Sequence, residues 1–206
     1  MVCVDVAILA PRGRRLGVLC TRSGASIEMP WATPGPRESL LDAATRAALA
    51  ATGNAPTWIE QTGASSESSR DPVPALSIGY VATQPEVSGA GLDWLDLRAA
   101  AAGLAGRQRW LLDAAVRQVR NRMDQEPIAF RMLPPRFSLA ELQGVYEILL
   151  GRRLHKASFR RALNAAQLVA PTGEWLANRR GRPAQLHRFA PRRRGTRLRP
   201  VRFDLL

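Results

Sequence analysis

Trp31-Ala32-Thr33-Pro34-Gly35-Pro36-Arg37-Glu38-Ser39-Leu40-Leu41-Asp42-Ala43-Ala44-Thr45-Arg46-Ala47-Ala48-Leu49-Ala50-Ala51-Thr52-Gly53 reads as a proline-glycine loop that feeds a helix. Ser39 is placed to cap that helix, with Asp42 three residues on in the capping-box position. Gly53 is suited to end it as the left-handed residue beyond the last turn. Between the caps, positions 47, 50 and 51 stand at i, i+3 and i+4, where three side chains converge on one side of a helix. Carboxylates at that spacing would suit Mg²⁺, which takes oxygen ligands in near-octahedral array. All three positions are alanine and offer no oxygen. The acids left nearby are Glu38 and Asp42, and Glu38 sits at the helix entrance, where capping and attraction to the helix dipole are its ordinary roles.

Outward from this stretch, the first half alternates strand and helix signals. Residues 2–10 read as a strand ended by the Pro11-Arg12-Gly13 turn, with residues 16–20 as its hairpin partner. Asp5 interrupts that apolar run and no basic residues precede it, which argues against a signal peptide. Residues 57–62 and 76–83 read as further strands, separated by the polar loop 65–72, and residues 85–91 read as a second loop. Residues 107–124 predict a helix with Leu112, Ala115, Val116, Val119 and Met123 on one stripe. Cys3 and Cys20 each fall in a strand-like segment and are expected to be buried thiols in a reducing cytoplasm. His155 and His187 have no Cys or His beside them, so no zinc site is expected. The sequence implies no cofactor. No apolar run approaches the roughly eighteen residues of a membrane span, and the expected location is the cytoplasm.

Charge is distributed unevenly. The chain holds 30 basic and 17 acidic residues, a net of +13. Residues 1–126 carry 13 of each, whereas residues 127–206 carry 17 basic and 4 acidic residues. The excess therefore lies in the last 80 residues, as expected of a domain that meets a polyanion. The arginine-rich composition extends over both halves, so composition alone does not explain the split.

The second half has a different rhythm. After Pro134-Pro135, Ser138 caps an amphipathic helix running to Leu150, with Glu141 as its capping-box partner. Residues 151–155 form a tight turn, and a helix over 156–168 follows, with Phe159, Ala162, Leu163 and Ala166 facing inward. A β-hairpin comes next, with one arm near 168–170 and 175–176, the other at 184–189, and a tip at 178–183. Helix, turn, helix and basic hairpin form the pattern of a winged helix-turn-helix, in which the second helix enters the major groove and the wing lies along the backbone. The candidate DNA contacts are Arg136, Ser138, Lys156, Ser158, Arg160, Arg161, Asn164 and Gln167. To these are added Arg179, Arg180 and Arg182 at the wing tip and Arg192, Arg193 and Arg194 in the tail. Arginine is suited to phosphate and guanine, and asparagine to adenine.

The loop-helix stretch resembles the Nudix box, a proline-glycine loop before a helix reading Arg-Glu-x-x-Glu-Glu-x-Gly. Arg46 and Gly53 keep that spacing, whereas Ala47, Ala50 and Ala51 stand where the glutamates would be. The loop after Gly35 is shorter than the family pattern. With the second half, the chain resembles the Nudix-related transcriptional regulator (NrtR) family over residues 4–189. The specific matches are Leu133-Pro134-Pro135-Arg136-Phe137-Ser138 through Gly151, Ser158-Phe159-Arg160-Arg161 and Gly181-Arg182-Pro183-Ala184. The usual aspartate-histidine pair at the end of the first domain is replaced by Gly106-Arg107-Gln108-Arg109.

The resemblance implies an α+β chain, with an α/β/α Nudix-like sensing and dimerisation domain over residues 1–124. A C-terminal winged helix-turn-helix domain with a basic tail follows over residues 125–206. It further implies a homodimeric repressor on palindromic double-stranded DNA, acting on NAD-metabolism genes, with a nucleotide effector such as ADP-ribose and no membrane partner. Arg37, Glu38, Arg46, Arg70 and Asp71 are the candidate effector contacts, and no metal or catalytic residues are assigned. The competing reading is a Nudix pyrophosphohydrolase with a non-standard metal site built on Glu38, Asp42 or loop carboxylates. An RNA-binding adaptor is disfavoured because the basic half has few aromatic side chains for base stacking.

Overall fold

The structure, a computed structural model, describes residues 2–24, 26–66, 76–86, 93–123, 125–176, 183–191 and 201. The chain divides into two compact units, Met1–Val119 and Arg120–Leu206.

The first unit is built on β1 (Val2–Arg12), whose residues Cys3 to Ala10 are all buried. A strand buried on both faces reads as a continuous apolar run, which is why residues 2–10 show no alternation. β1 pairs antiparallel with β2 (Arg15–Ser23) and parallel with β6 (Leu76–Thr83). β3 (Ser26–Glu28) extends the sheet beyond β2, and β5 (Trp58–Ser65) extends it beyond β6, giving the order β3-β2-β1-β6-β5. β4 (Trp31–Ala32) pairs with the start of β1, and β7 (Asp93–Asp96) pairs with β2.

α1 (Leu40–Thr52) covers one face of this sheet. Ala43, Ala44, Ala47 and Ala48 pack into a core with Val4, Val6, Ile8, Ile78, Tyr80 and Ala82. Small residues on this face let the helix lie close to the strands. Ser39 accepts the Asp42 amide at 3.1 Å, and Gly53 closes the helix at φ 71°. The expected capping box is only half formed, because the Asp42 carboxylate accepts from the Ser39 hydroxyl at 2.7 Å. α2 (Leu97–Gly103) is capped by Asp96, which accepts from the Arg98 and Ala99 amides. Neither β7 nor α2 was expected from the sequence.

The opposite face is covered by α3 (Gly106–Arg122), whose Leu111 side chain lies where a Cβ on Gly79 would stand. A buried polar cluster ties the start of α3 to the sheet. Asp5 accepts from Gln108 Nε2 at 2.6 Å and from the Ser77 hydroxyl, and Arg107 Nε lies 3.7 Å from its carboxylate. Both cysteines are free and buried. Burial, reinforced by the Asp93 carboxylate, pushes the Cys20 thiol up to about 11, which keeps it protonated.

The second unit contains α4 (Ile128–Arg131), β8 (Phe137–Ser138), α5 (Leu139–Leu150), α6 (Lys156–Ala166), β9 (Val169–Leu176) and β10 (Ala184–Phe189). The three strands form a sheet in the order β8-β10-β9. Its core joins Leu142, Val145, Leu149, Phe159, Leu163 and Ala166 to a set of edge-on and tilted aromatic rings, Phe130, Phe137, Tyr146, Phe159 and Phe189. The capping box of α5 is complete. The Ser138 hydroxyl accepts the Glu141 amide, and the Glu141 carboxylate accepts the Ser138 amide.

Candidate functional sites

In the first unit, the candidate site is the loop entering α1. Gly35-Pro36-Arg37-Glu38 is a tight turn closed by the Glu38 amide on the Gly35 carbonyl at 3.1 Å. Proline second and a positive φ third mark a type II turn. The third position is Arg37, exposed and at φ 66°, a conformation that a residue with a Cβ adopts at some cost. The Glu38 carboxylate folds back to accept the Gly35 amide at 2.7 Å. Arg46 grips the same carboxylate with two hydrogen bonds of 2.8 Å and donates to the Thr33 carbonyl at 3.1 Å. Glu38 and Arg46 therefore stitch the loop to the helix. Both are candidate effector contacts, and the structure pairs them with each other.

The hydrogen bonds from Arg46, then the Gly35 amide, hold the Glu38 carboxyl down at about 2, from an ordinary 4.5. Because the folded pKa is depressed, the clamp's contribution is complete above 4.5 and is lost as pH falls towards 2. The Gly35 amide shift in an NMR pH titration is expected to move with a midpoint near 2. A midpoint at the ordinary carboxylate value would mean that the clamp is open in solution.

The three alanines straddle the edge of the buried face of α1. Ala47 is buried, Ala51 half-buried and Ala50 exposed. Among the described residues, no group of three or more His, Cys, Asp or Glu side chains is placed to hold a metal ion. Arg70 and Asp71 lie outside the described residues.

In the second unit, a groove of about 960 Å³ opens between α5, α6 and the β9–β10 hairpin. Lys156, Arg160 and Asn164 form one i, i+4, i+8 row along α6 and line it. Trp175, Gln185 and His187 line it from the hairpin, and Gln143, Gly144 and Glu147 from α5. Ser158 and Arg161 are also exposed on α6 but point away from the groove lining. The turn that sets α6 against α5 is held by Gln143 and Glu147. Glu147 accepts the Leu154 amide at 2.9 Å and Gln143 Nε2 at 3.0 Å, and Gln143 also donates to the Leu154 carbonyl.

Three expected contacts are placed differently. Gln167 is not on the helix but one residue past its end, in the left-handed conformation at φ 52°. Ser138 lines the groove, yet its side chain is committed to capping α5 and the residue is buried. Arg136 is paired with Glu174 of β9 at 2.8 Å. Arg179, Arg180, Arg182, Arg192, Arg193 and Arg194 lie outside the described residues. Sequence reasoning missed the hairpin side of the groove, because Trp175, Gln185 and His187 are not contiguous and carry no charge run.

Residues 129–189 match the family model of the NrtR DNA-binding winged helix domain. The ADPR responsive transcriptional repressor NtrR of Acinetobacter baylyi is 31% identical over 207 residues, covering 92% of this chain and 82% of that protein. The chain belongs to the NrtR family. In structure it is similar to Shewanella oneidensis NrtR complexed with a 27mer DNA, with TM-score 0.78, 24% identity and 92% and 94% of the two chains covered. It is also similar to a MutT/nudix family protein of Enterococcus faecalis, with TM-score 0.66, 22% identity and 92% and 87% covered. At such identities the structural likeness speaks for the fold. This NrtR-family chain thus joins a Nudix-like unit to a winged helix unit and is a transcriptional regulator.

No helix among the described residues is long and apolar enough to cross a membrane.

Proposed function

We propose that the chain is a cytoplasmic, homodimeric repressor of NAD-metabolism genes. It binds a palindromic operator through residues 125–206 and senses a nucleotide such as ADP-ribose through residues 1–124, without hydrolysing it. The observation that carries this reading is the groove of the winged helix unit, where Lys156, Arg160 and Asn164 present cationic and amide groups along one row of α6. Such a row suits a phosphate backbone and base edges. The relative from Acinetobacter baylyi is named as ADPR responsive, which supports the choice of effector. Arg37, exposed at the turn, together with the Arg46 edge of the loop, is the proposed anion contact of the effector.

The alanines at 47, 50 and 51 support binding without cleavage, since the helix supplies no metal ligand from those positions. Glu38 and Asp42, the acids left to a hydrolase, are hydrogen-bonded to Arg46 and Ser39.

A mobility shift on the region upstream of the chain's own gene tests the proposal. A sequence-preferring shift is expected, and ADP-ribose is expected to change the affinity by about fivefold or more, the ordinary size of an allosteric coupling. Phosphate or nucleotide release from ADP-ribose with added Mg²⁺ or Mn²⁺ should stay at background. Turnover would restore the hydrolase reading, and the absence of any preferred sequence would remove the regulator.

A further inference from the structure

We propose that Trp175 is a DNA-contacting residue, packing its ring against the deoxyribose wall of the strand whose phosphates lie on Lys156 and Arg160. The proposal rests on the DNA-binding reading and adds to it an apolar contact on the hairpin side of the groove.

Trp175 is 55% exposed, more than any other large hydrophobic side chain among the described residues. A tryptophan left so open in a folded domain calls for a partner, since the aromatic body gains from leaving water. Its position is set by the hairpin. Trp175 pairs with Gln185 and Pro171 with His187, so β9 carries two more residues across this interval than β10 does. Gly173, at φ 80°, lies within that irregularity. Bulges of this kind re-aim the side chains beside them. The result places Trp175 on the same face as Gln185 and His187, lining the groove, while its neighbour Glu174 is held by Arg136.

The surroundings select the occupant. Lys156 and Arg160 line the same groove, and its only carboxylate among the described residues, Glu147, is engaged by the Leu154 amide and by Gln143. A flat apolar ring lining the same groove as two cations suits a sugar-phosphate strand, which alternates an apolar wall with an anion. An acidic protein segment would use the cations and leave the ring without a matching surface. Trp175 is the only tryptophan in residues 120–206, so its emission reports on this groove once the other four are subtracted.

The test uses the full chain and the upstream duplex found by mobility shift. Trp175→Ala is expected to weaken binding about tenfold, the scale of truncating one aromatic side chain at an interface. The slope of log affinity against log salt should stay unchanged, because no phosphate contact is removed. Trp175→Phe should retain most of the affinity and abolish the emission change that DNA produces in the wild type. Wild-type affinity in Trp175→Ala, a lower salt slope, or an emission change that survives in Trp175→Phe would each overturn the proposal. A wild type that fails to shift any duplex marks failure of the DNA-binding reading itself.

Discussion

Arg107→Met is expected to destabilise the first unit by about 3–5 kcal/mol, the usual consequence of leaving one member of a buried ion pair without its partner. Asp5 is fully buried in the central strand, and Arg107 is 1% exposed at the start of α3. Gln108 and Ser77 satisfy the Asp5 oxygens by hydrogen bonding, but both are neutral, so Arg107 brings the compensating charge. Methionine keeps much of the arginine's length and apolar stem, which limits any added loss from a cavity. The double variant Asp5→Asn with Arg107→Met should recover most of the loss, because it removes both charges together. Urea denaturation followed by tryptophan emission measures this, since four of the five tryptophans lie in residues 1–119. Equal stability of Arg107→Met and the wild type would show that the pair contributes nothing, and the cluster would then be a hydrogen-bond network alone.

The same pair shows where sequence reading stops. Asp5 is conspicuous as an acid inside an apolar strand, and Gly106-Arg107-Gln108-Arg109 is conspicuous as a departure from the family pattern. That they are partners, about one hundred residues apart, follows only from the position of α3 on the sheet face opposite α1. Local signals were legible where chemistry and conformation coincide. Ser39 and Gly53 bound α1, Ser138 with Glu141 starts α5, and Leu76–Thr83 is a strand as read. Signals failed where elements are short or set by pairing. β4 and β8 are two residues each, and β7 exists because it pairs with β2. The cap of α2 was visible in principle, since Asp96 precedes Leu97-Arg98-Ala99-Ala100, but the short helix has no amphipathic stripe. At α6, the inward residues Phe159, Leu163 and Ala166 were readable from spacing, whereas the early stop before Gln167 was not.

Replacing both Arg160 and Arg161 by alanine is expected to produce the largest loss of DNA affinity, about 1–3 kcal/mol for each arginine that reads a base. The two side chains are adjacent in sequence but about 100° apart around the helix, and their single variants should differ. Arg160 shares its row with Lys156 and Asn164 and lines the groove next to the hairpin. On the proposed reading it meets phosphate, so Arg160→Ala should weaken binding to all duplexes alike and lower the salt slope by about 1. Arg161 is exposed, away from the groove lining and from the buried residues Phe159, Leu163 and Ala166. On the same reading that side of α6 enters the major groove, so Arg161→Ala should erode the preference for the operator over a scrambled duplex while leaving the salt slope nearly unchanged. Fluorescence anisotropy with both duplexes across a salt series separates the two effects. If the double variant binds the operator as tightly as the wild type, α6 is not the reading helix. If the single variants exchange their effects, α6 still reads DNA, but it enters the major groove rotated about its axis, with the Lys156–Arg160–Asn164 row facing the bases.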